Sequence, residues 1–420
     1  MSSSDRDDEE NGAPEGAPDL FAWLSREVRE LAPARVPRVE GAPAPLDFLR
    51  EYVASNRPCV IRGAFDHWPA RRRWSLAYLS DTMGDDLISV NVTPDGRGDA
   101  LLATAGLDVR RARDDDPDAA PSAPLDTVPP EVFIQPEERR MTFREFAREL
   151  ERTRDVPLNT PGSFVPYVSR QCGSLPDEFP RLARDCDAHL AWATDAFGHP
   201  PDAVNFWCGD ERATTTFHRD HYENVYCVVT GVKTFALLPP CDAYRLRARP
   251  APAATRVGDA VVLERPERST RWSPIEPEDL KGDRSGAPPP LIVDVHPGEC
   301  LYLPAMWHHH VTQRRGDDGE PAVAVNYWYA CDSEASLGPV FVQREVLNNL
   351  AAGLIPRAPS HWDHLYAAKP SVAPPPRSPH ASVEPRGGSD LHAAAAAGGT
   401  DCTVRALHSI ALLPSLICEG

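Results

Sequence analysis

The stretch Thr214–Pro240, TTTFHRDHYENVYCVVTGVKTFALLPP, decides the reading of this 420-residue chain. It alternates as a β-strand does, yet it carries two His and an Asp within four positions. Successive strand residues point to opposite faces, so a His-x-Asp on one strand turns both side chains to the same side. His218 and Asp220 could therefore grip one ion together. Two ligands make a weak metal site, and the pattern asks for a third donor and open coordination positions.

A second stretch, VDVHPGECLYLPAMWHHHVTQ, supplies the donor. A Pro-Gly turn leads into the strand ECLYLP and on to His308, His309 and His310. A neighbouring strand can bring one of the three opposite His218 and Asp220. Two His and one carboxylate on one face form a facial triad that leaves positions open for a cosubstrate and oxygen. A lone His-x-Asp is usually incidental and a His run is often a surface patch; the combination carries the inference. It is strengthened by Lys233, fifteen residues after His218 at the start of an apolar strand. A buried Lys calls for an anionic partner.

Composition bounds the alternatives. With 41% hydrophobic and 25% charged residues the chain is of ordinary globular composition. A formal charge of -18 argues against direct nucleic-acid binding and suits a cationic protein or peptide partner. No apolar run reaches the about eighteen residues of a membrane span, so no membrane association is expected. The acidic start does not read as a signal peptide, and a cytoplasmic location, with the nucleus as a second compartment, follows. The ten Cys have no CxxC spacing, which speaks against a disulfide framework or structural zinc; Cys59, Cys227 and Cys300 sit in apolar strand-like runs as small core residues.

Along the chain, residues 1–17 read as disordered, and 18–160 as an N-terminal α/β part packing on a core. Within it the patterns predict a helix over Leu20–Leu31, a strand over Pro58–Arg62, a helix opened by Ser75, a strand over Leu87–Thr93, and a helix begun by a Thr142/Glu145 capping box. Arg110–Glu131 reads as a surface insertion. Residues 161–335 read as that core, and from Val204 to Tyr329 the pattern turns mostly to short strands between Pro and Gly turns, interrupted by a polar stretch over Arg245–Pro290, which suggests a sandwich or small barrel. Residues 336–356 read as an amphipathic C-terminal helix able to support a homodimer, and 357–420 as a disordered tail.

The segments NFWCGDERATTTFHRDHYENVYCVVTGVKTFALLPP, GECLYLPAMWHHHVTQ and AVNYWYA resemble the Jumonji-C (JmjC) oxygenases, Fe(II)- and 2-oxoglutarate-dependent members of the cupin superfamily. NRPCVIRGAFDHWPARRRWSLAYL, VTPDGRGDA and YVSRQCGSLPDEFPRL narrow the resemblance to the small JmjC group typified by the lysyl hydroxylase of developmentally regulated GTP-binding proteins. It spans about residues 20–355. It implies a mixed α+β fold, with a double-stranded β-helix (jelly-roll) core flanked by N-terminal and C-terminal helices.

The resemblance also implies roles. His218, Asp220 and His309 match the metal ligands, His309 by alignment of WHHHV, with His308 and His310 as alternatives. Lys233 matches the Lys that pairs with the far carboxylate of 2-oxoglutarate, and Thr215, Asn224, Asn326 and Tyr167 fall around the same cosubstrate. Trp207, Trp307 and Trp328 are expected in the barrel and pocket wall, and His221 and Glu223 in solvated positions. The implied cofactors are Fe(II), 2-oxoglutarate and molecular oxygen. The implied reaction is (3S)-lysyl hydroxylation of a lysine-bearing protein or peptide, with a GTP-binding translation factor as partner. Histone lysine demethylation and histone-tail peptidase activity are alternatives on the same metal, and a non-catalytic cupin-fold binding module is an alternative of another class. The complete set of His218, Asp220, His309 and Lys233 favours the enzyme.

Overall fold

Two facing sheets carry the residues singled out above. A computed structural model describes residues 20–31, 34–111, 127–265, 267–282, 287–330 and 347. The expected disordered start, the tail beyond 357, most of the 110–131 insertion and, apart from residue 347, the expected C-terminal helix lie outside these described residues.

The larger sheet runs in the order β1 (Arg38–Glu40), β2 (Cys59–Arg62), β17 (Glu299–Leu303), β11 (Tyr222–Thr230), β19 (Ala322–Ala330) and β9 (Ala203–Gly209). The smaller runs β10 (Thr215–His218), β18 (His308–Arg314), β12 (Val232–Leu238) and β16 (Leu291–Val295). Apart from the parallel β1–β2 pair, both are antiparallel. Alternation explains how they close. Tyr226, Val228, Leu301, Leu303 and Ala324 from the larger sheet pack against Phe235, Leu237, Val293 and Val295 from the smaller, forming one apolar interior. The intervening residues of the larger sheet, including Val225, Cys227 and Cys300, face a second core built with the helices. Consistent with the cysteine reading, Cys59, Cys227 and Cys300 are free and buried.

The local signals act as their chemistry requires. Ser75 Oγ accepts from Tyr78 N–H at 3.1 Å and caps the helix Leu76–Met83. Thr142 and Glu145 close a reciprocal capping box, and the helix Phe143–Arg152 buries Phe143, Phe146 and Leu150. The predicted strands appear as β2 and as β3 (Leu87–Thr93), which pairs with β7 (Glu137–Thr142) and β8 (Val165–Tyr167). The helix Leu20–Leu31 is present as read. No helix among the described residues is long and apolar enough to cross a membrane.

One expectation is corrected. The stretch Arg245–Pro290 is more than a polar interruption, because it contains β13 (Arg249–Val257), β14 (Ala260–Leu263) and β15 (Ser269–Trp272). Together with β4 (Ala100–Ala103), β5 (Val109–Arg111) and β6 (Glu131–Gln135) they build a third sheet. Its core is made largely of Ala and Val, including Ala100, Val132, Ala254 and Val261, so it shows little hydrophobic contrast in the sequence. The fold is mixed α+β around a jelly-roll core.

Candidate metal centre

Adjacent strands β10 and β18 place His218 opposite His309, with ring centroids 4.0 Å apart. Asp220 completes the group: its two oxygens lie 3.9 Å from His218 Nε2 and 3.6 Å from His309 Nε2. One donor atom from each residue falls within 4.8 Å of the others. His218 and Asp220 come together by a different route from the expected one, since β10 ends at His218 and Asp220 lies in the following loop. The loop, rather than strand periodicity, brings the carboxylate round.

A bulge sets the remaining face. Thr215 pairs with Val311 and His218 with His309, so three steps along β10 oppose two along β18. Thr215 and His218 therefore share the interior side despite an odd separation.

Hydrogen bonding fixes both imidazoles. His218 Nδ1 lies 2.9 Å from the Thr216 carbonyl, and His309 Nδ1 lies 3.1 Å from the Trp307 carbonyl. A carbonyl only accepts, so each Nδ1 donates, and it is Nε2 of each ring that is turned toward Asp220. Burial and the neighbouring His218 lower the His309 pKa from 6.5 to about 3, which keeps this ring neutral, as ligation requires. Alternation decides among the three consecutive His residues. His308 and His310 face the other side of β18, where His310 Nε2 lies 3.0 Å from Glu276 Oε2.

The expected solvated position of Glu223 is wrong. Glu223 is buried and accepts from Tyr302 Oη at 2.7 Å and from Ala305 N–H at 3.0 Å. Met306 N–H donates to the Asp220 carbonyl at 2.9 Å. These bonds tie the Asp220 loop to the turn that launches β18, with Met306 held at φ 69°. The half-buried His221 lies 3.3 Å from Arg219 Nη1.

Four residues from His309 along β18, about 13 Å of strand, Gln313 stands opposite the fully buried Lys233 of β12. Lys233 Nζ donates to Tyr167 Oη at 3.0 Å and to Gln313 Oε1, and it lies 5.0 Å from the Tyr167 ring centroid. Gln313 Nε2 donates in turn to the Asp210 carbonyl at 2.8 Å, which fixes the amide orientation. No carboxylate of the described residues pairs with this Lys. An ammonium has three donors, and two are engaged by neutral oxygens. Burial lowers its pKa from 10.5 to about 7. Gly209 leaves the room for this arrangement, because a Cβ there would lie 2.6 Å from the Tyr167 ring and 2.7 Å from Gln313 Nε2.

The other expected residues gather on the same interior. Trp207 Nε1–H donates to Asn326 Oδ1 at 2.7 Å, and Asn326 Nδ2–H donates to Asn224 Oδ1 at 3.1 Å. Trp328 stacks on Tyr222 with ring centroids 5.1 Å apart, while Trp307 Nε1–H donates to Asn56.

This geometry meets the comparisons with known proteins. The family model described as "Cupin-like domain" matches residues 45–335. The chain is 40% identical over 313 residues to the human protein named bifunctional peptidase and (3S)-lysyl hydroxylase JMJD7, covering 72% of this chain and 86% of that protein. It is 38% identical over 324 residues to the Arabidopsis thaliana protein named lysine-specific demethylase JMJ32, covering 73% and 85%. The chain belongs to the cupin-like JmjC family. It is similarly related, at 30% identity over 348 residues, to JmjC domain-containing protein E of Dictyostelium discoideum, covering 77% and 92%.

Family members are Fe(II)- and 2-oxoglutarate-dependent oxygenases, and the donor chemistry here fits both groups. Two imidazoles turned by Nε2 toward one carboxylate suit Fe(II) with open positions, and Lys233, with a donor to spare and no carboxylate partner among the described residues, suits the far carboxylate of a dicarboxylate. Sequence reasoning missed Gln313, Gly209 and the buried role of Glu223. Gln313 had one available signal, since it lies an even four residues from His309 in a strand pattern and must share its face.

Proposed function

We propose that this chain is a protein lysyl hydroxylase, acting on a lysine-bearing protein or peptide, with a GTP-binding translation factor as the partner class. The observation that carries the reading is one sheet face bearing His218 and His309 at one end, with Asp220 brought to them by the loop after β10, and a buried Lys233 without a carboxylate partner among the described residues at the other. The similarity to a protein named as a (3S)-lysyl hydroxylase supports the choice of lysine.

When bound, Fe(II) with 2-oxoglutarate supplies oxidation of a C–H bond by O2, so that R–H, O2 and 2-oxoglutarate give R–OH, succinate and CO2. The protein's part is binding, orientation and exclusion of water. His218 and His309 are held by backbone carbonyls in the tautomer that presents Nε2. Asp220 is held by its own loop's bond to Met306. Lys233 anchors the cosubstrate carboxylate by a charge-assisted hydrogen bond, with Tyr167 and Gln313 keeping the ammonium in place. The apolar interior around Tyr226, Phe235 and Val311 limits water at the same face.

The test is mass spectrometry of lysine-containing peptides from GTP-binding translation factors, after anaerobic loading with Fe(II) and 2-oxoglutarate and then exposure to air. One added oxygen on lysine, absent with Asp220→Ala, is the expected result. A lysine-specific demethylase among the relatives favours one second reading, demethylation, which the same assay reads as loss of a methyl group from methyl-lysine peptides. Cosubstrate turnover with neither product would refute both substrate assignments.

A further inference from the structure

The segment PDGRGDA, residues 94–100, was part of the family resemblance but has no role in metal or cosubstrate binding. It is clamped along the strand that carries His218. Gly98 N–H donates to the Thr214 carbonyl at 3.1 Å, and Thr214 N–H donates to the Gly96 carbonyl at 2.8 Å. Gly96 has φ 80°, and a Cβ there would lie 1.8 Å from the Arg212 carbonyl oxygen, so this approach admits only Gly. At the far end of the segment, Thr216 Oγ1–H donates to the Asp99 carbonyl. The Trp272 indole N–H donates to the same hydroxyl at 2.8 Å, and its ring lies nearly parallel to that of His218, 11° apart at 6.3 Å.

Asp99 is thus pinned two residues from a metal ligand, on a wall shared with Trp272. The carboxylate is half-buried and electrostatically coupled to His218. Among the described residues it has no hydrogen bond and no ion pair. Arg97, the nearest cation in sequence, is taken by Glu276 at 2.6 Å. Burial without a partner raises the pKa of this carboxyl to about 6, and a cation arriving from outside would favour its charged form.

Resting on the hydroxylase reading above, we infer that Asp99 is the residue that receives the substrate's lysyl ε-ammonium and selects lysine over neutral side chains of the same length. The scale agrees. An extended lysine places its ammonium about 5 Å beyond Cβ on a flexible four-carbon stem, so a carboxylate beside the metal group, rather than among the ligands, is where the cation must be met. Asp99 lies outside the three-donor cluster. A carboxylate accepts directly from a primary ammonium, whereas a trimethylated ammonium has no proton to give, so the site favours unmodified lysine.

The test is the binding of synthetic peptides bearing a single lysine or, at the same position, norleucine, to protein loaded with zinc and 2-oxoglutarate. Wild type should prefer lysine. Asp99→Asn should reduce that preference by about 10- to 100-fold, the range of a hydrogen bond to a charged group, while Asp99→Glu should recover part of it. An undiminished lysine preference in Asp99→Asn would overturn the inference. The functional reading has a separate readout, because a wild type that holds lysine through Asp99 yet leaves it unoxidised in iron and air refutes hydroxylation and keeps Asp99 as the cation receptor.

Discussion

Binding of 2-oxoglutarate should take up a proton at alkaline pH. Lys233 is fully buried, its hydrogen-bond partners Tyr167 and Gln313 are neutral, and burial lowers its pKa to about 7. At about pH 6 the side chain is roughly nine-tenths charged before ligand arrives, and at about pH 8 roughly one-tenth. A bound carboxylate restores the charged form. Binding at about pH 8 therefore takes up about 0.9 proton, and affinity should be about tenfold weaker than at about pH 6. Calorimetry decides it: 2-oxoglutarate is titrated anaerobically into zinc-loaded protein in two buffers of different ionisation heat. Because the ion already occupies the imidazoles, proton uptake reports on Lys233.

Lys233→Met should abolish the uptake and weaken binding by about 30- to 150-fold, the equivalent of about 2–3 kcal/mol for a charged hydrogen bond. Stability carries the opposite sign. With a folded pKa below the ordinary lysine value of 10.5, the unfolded chain holds more protons at this site between the two values. The Lys233 contribution thus becomes more favourable to folding as pH rises from about 7 toward 10.5, and the stability gap between Lys233→Met and wild type should move in favour of wild type. Equal affinity at both pH values with no proton uptake would refute the reasoning, because Lys233 would then be charged in the empty pocket.

Three further outcomes follow from the geometry. Zinc at about 100 times its Kd should stabilise wild type by about 2.7 kcal/mol in urea titrations, and Asp220→Ala should remove that gain. Glu223→Ala strands the Tyr302 hydroxyl and the Ala305 amide; it should cost about 1–3 kcal/mol of stability and weaken metal binding by about 10- to 100-fold, measured by competition with a chelator. Gly209→Ala drives a methyl into the Tyr167 ring and the Gln313 amide, so it should raise the KM for 2-oxoglutarate more than it changes zinc affinity.

Much of the fold was legible because its signals are local. Ser75 and the Thr142/Glu145 pair specify helix starts through atoms at most three residues away, and β3 announces itself by a run of apolar and β-branched residues. The third sheet gave no such contrast, since Pro250, Ala251, Pro252, Ala253 and Ala254 in β13 differ little in hydrophobicity. Its stability lies in partners as distant as Phe133 in β6, which pairs with Ala253.

The site divides along the same line. His218, His309 and Lys233 stand out because a strand seldom tolerates such groups facing inward, and Asp220 because it follows His218 by two residues. The residues that position them are chemically inconspicuous, and their roles depend on register. Gln313 matters because Lys233 is its cross-strand neighbour, and Gly209 because Tyr167 and Gln313 close over it. Thr215 reaches the interior because a bulge shifts β10 by one residue against β18. A single slip of register would send His309 outward and bring its two His neighbours in, with the sequence unchanged. The Ala305–Trp307 turn, held by Glu223 and by the Asp220 carbonyl, immediately precedes β18. These two bonds lie where the register is set that turns His309, rather than His308 or His310, toward His218 and Asp220.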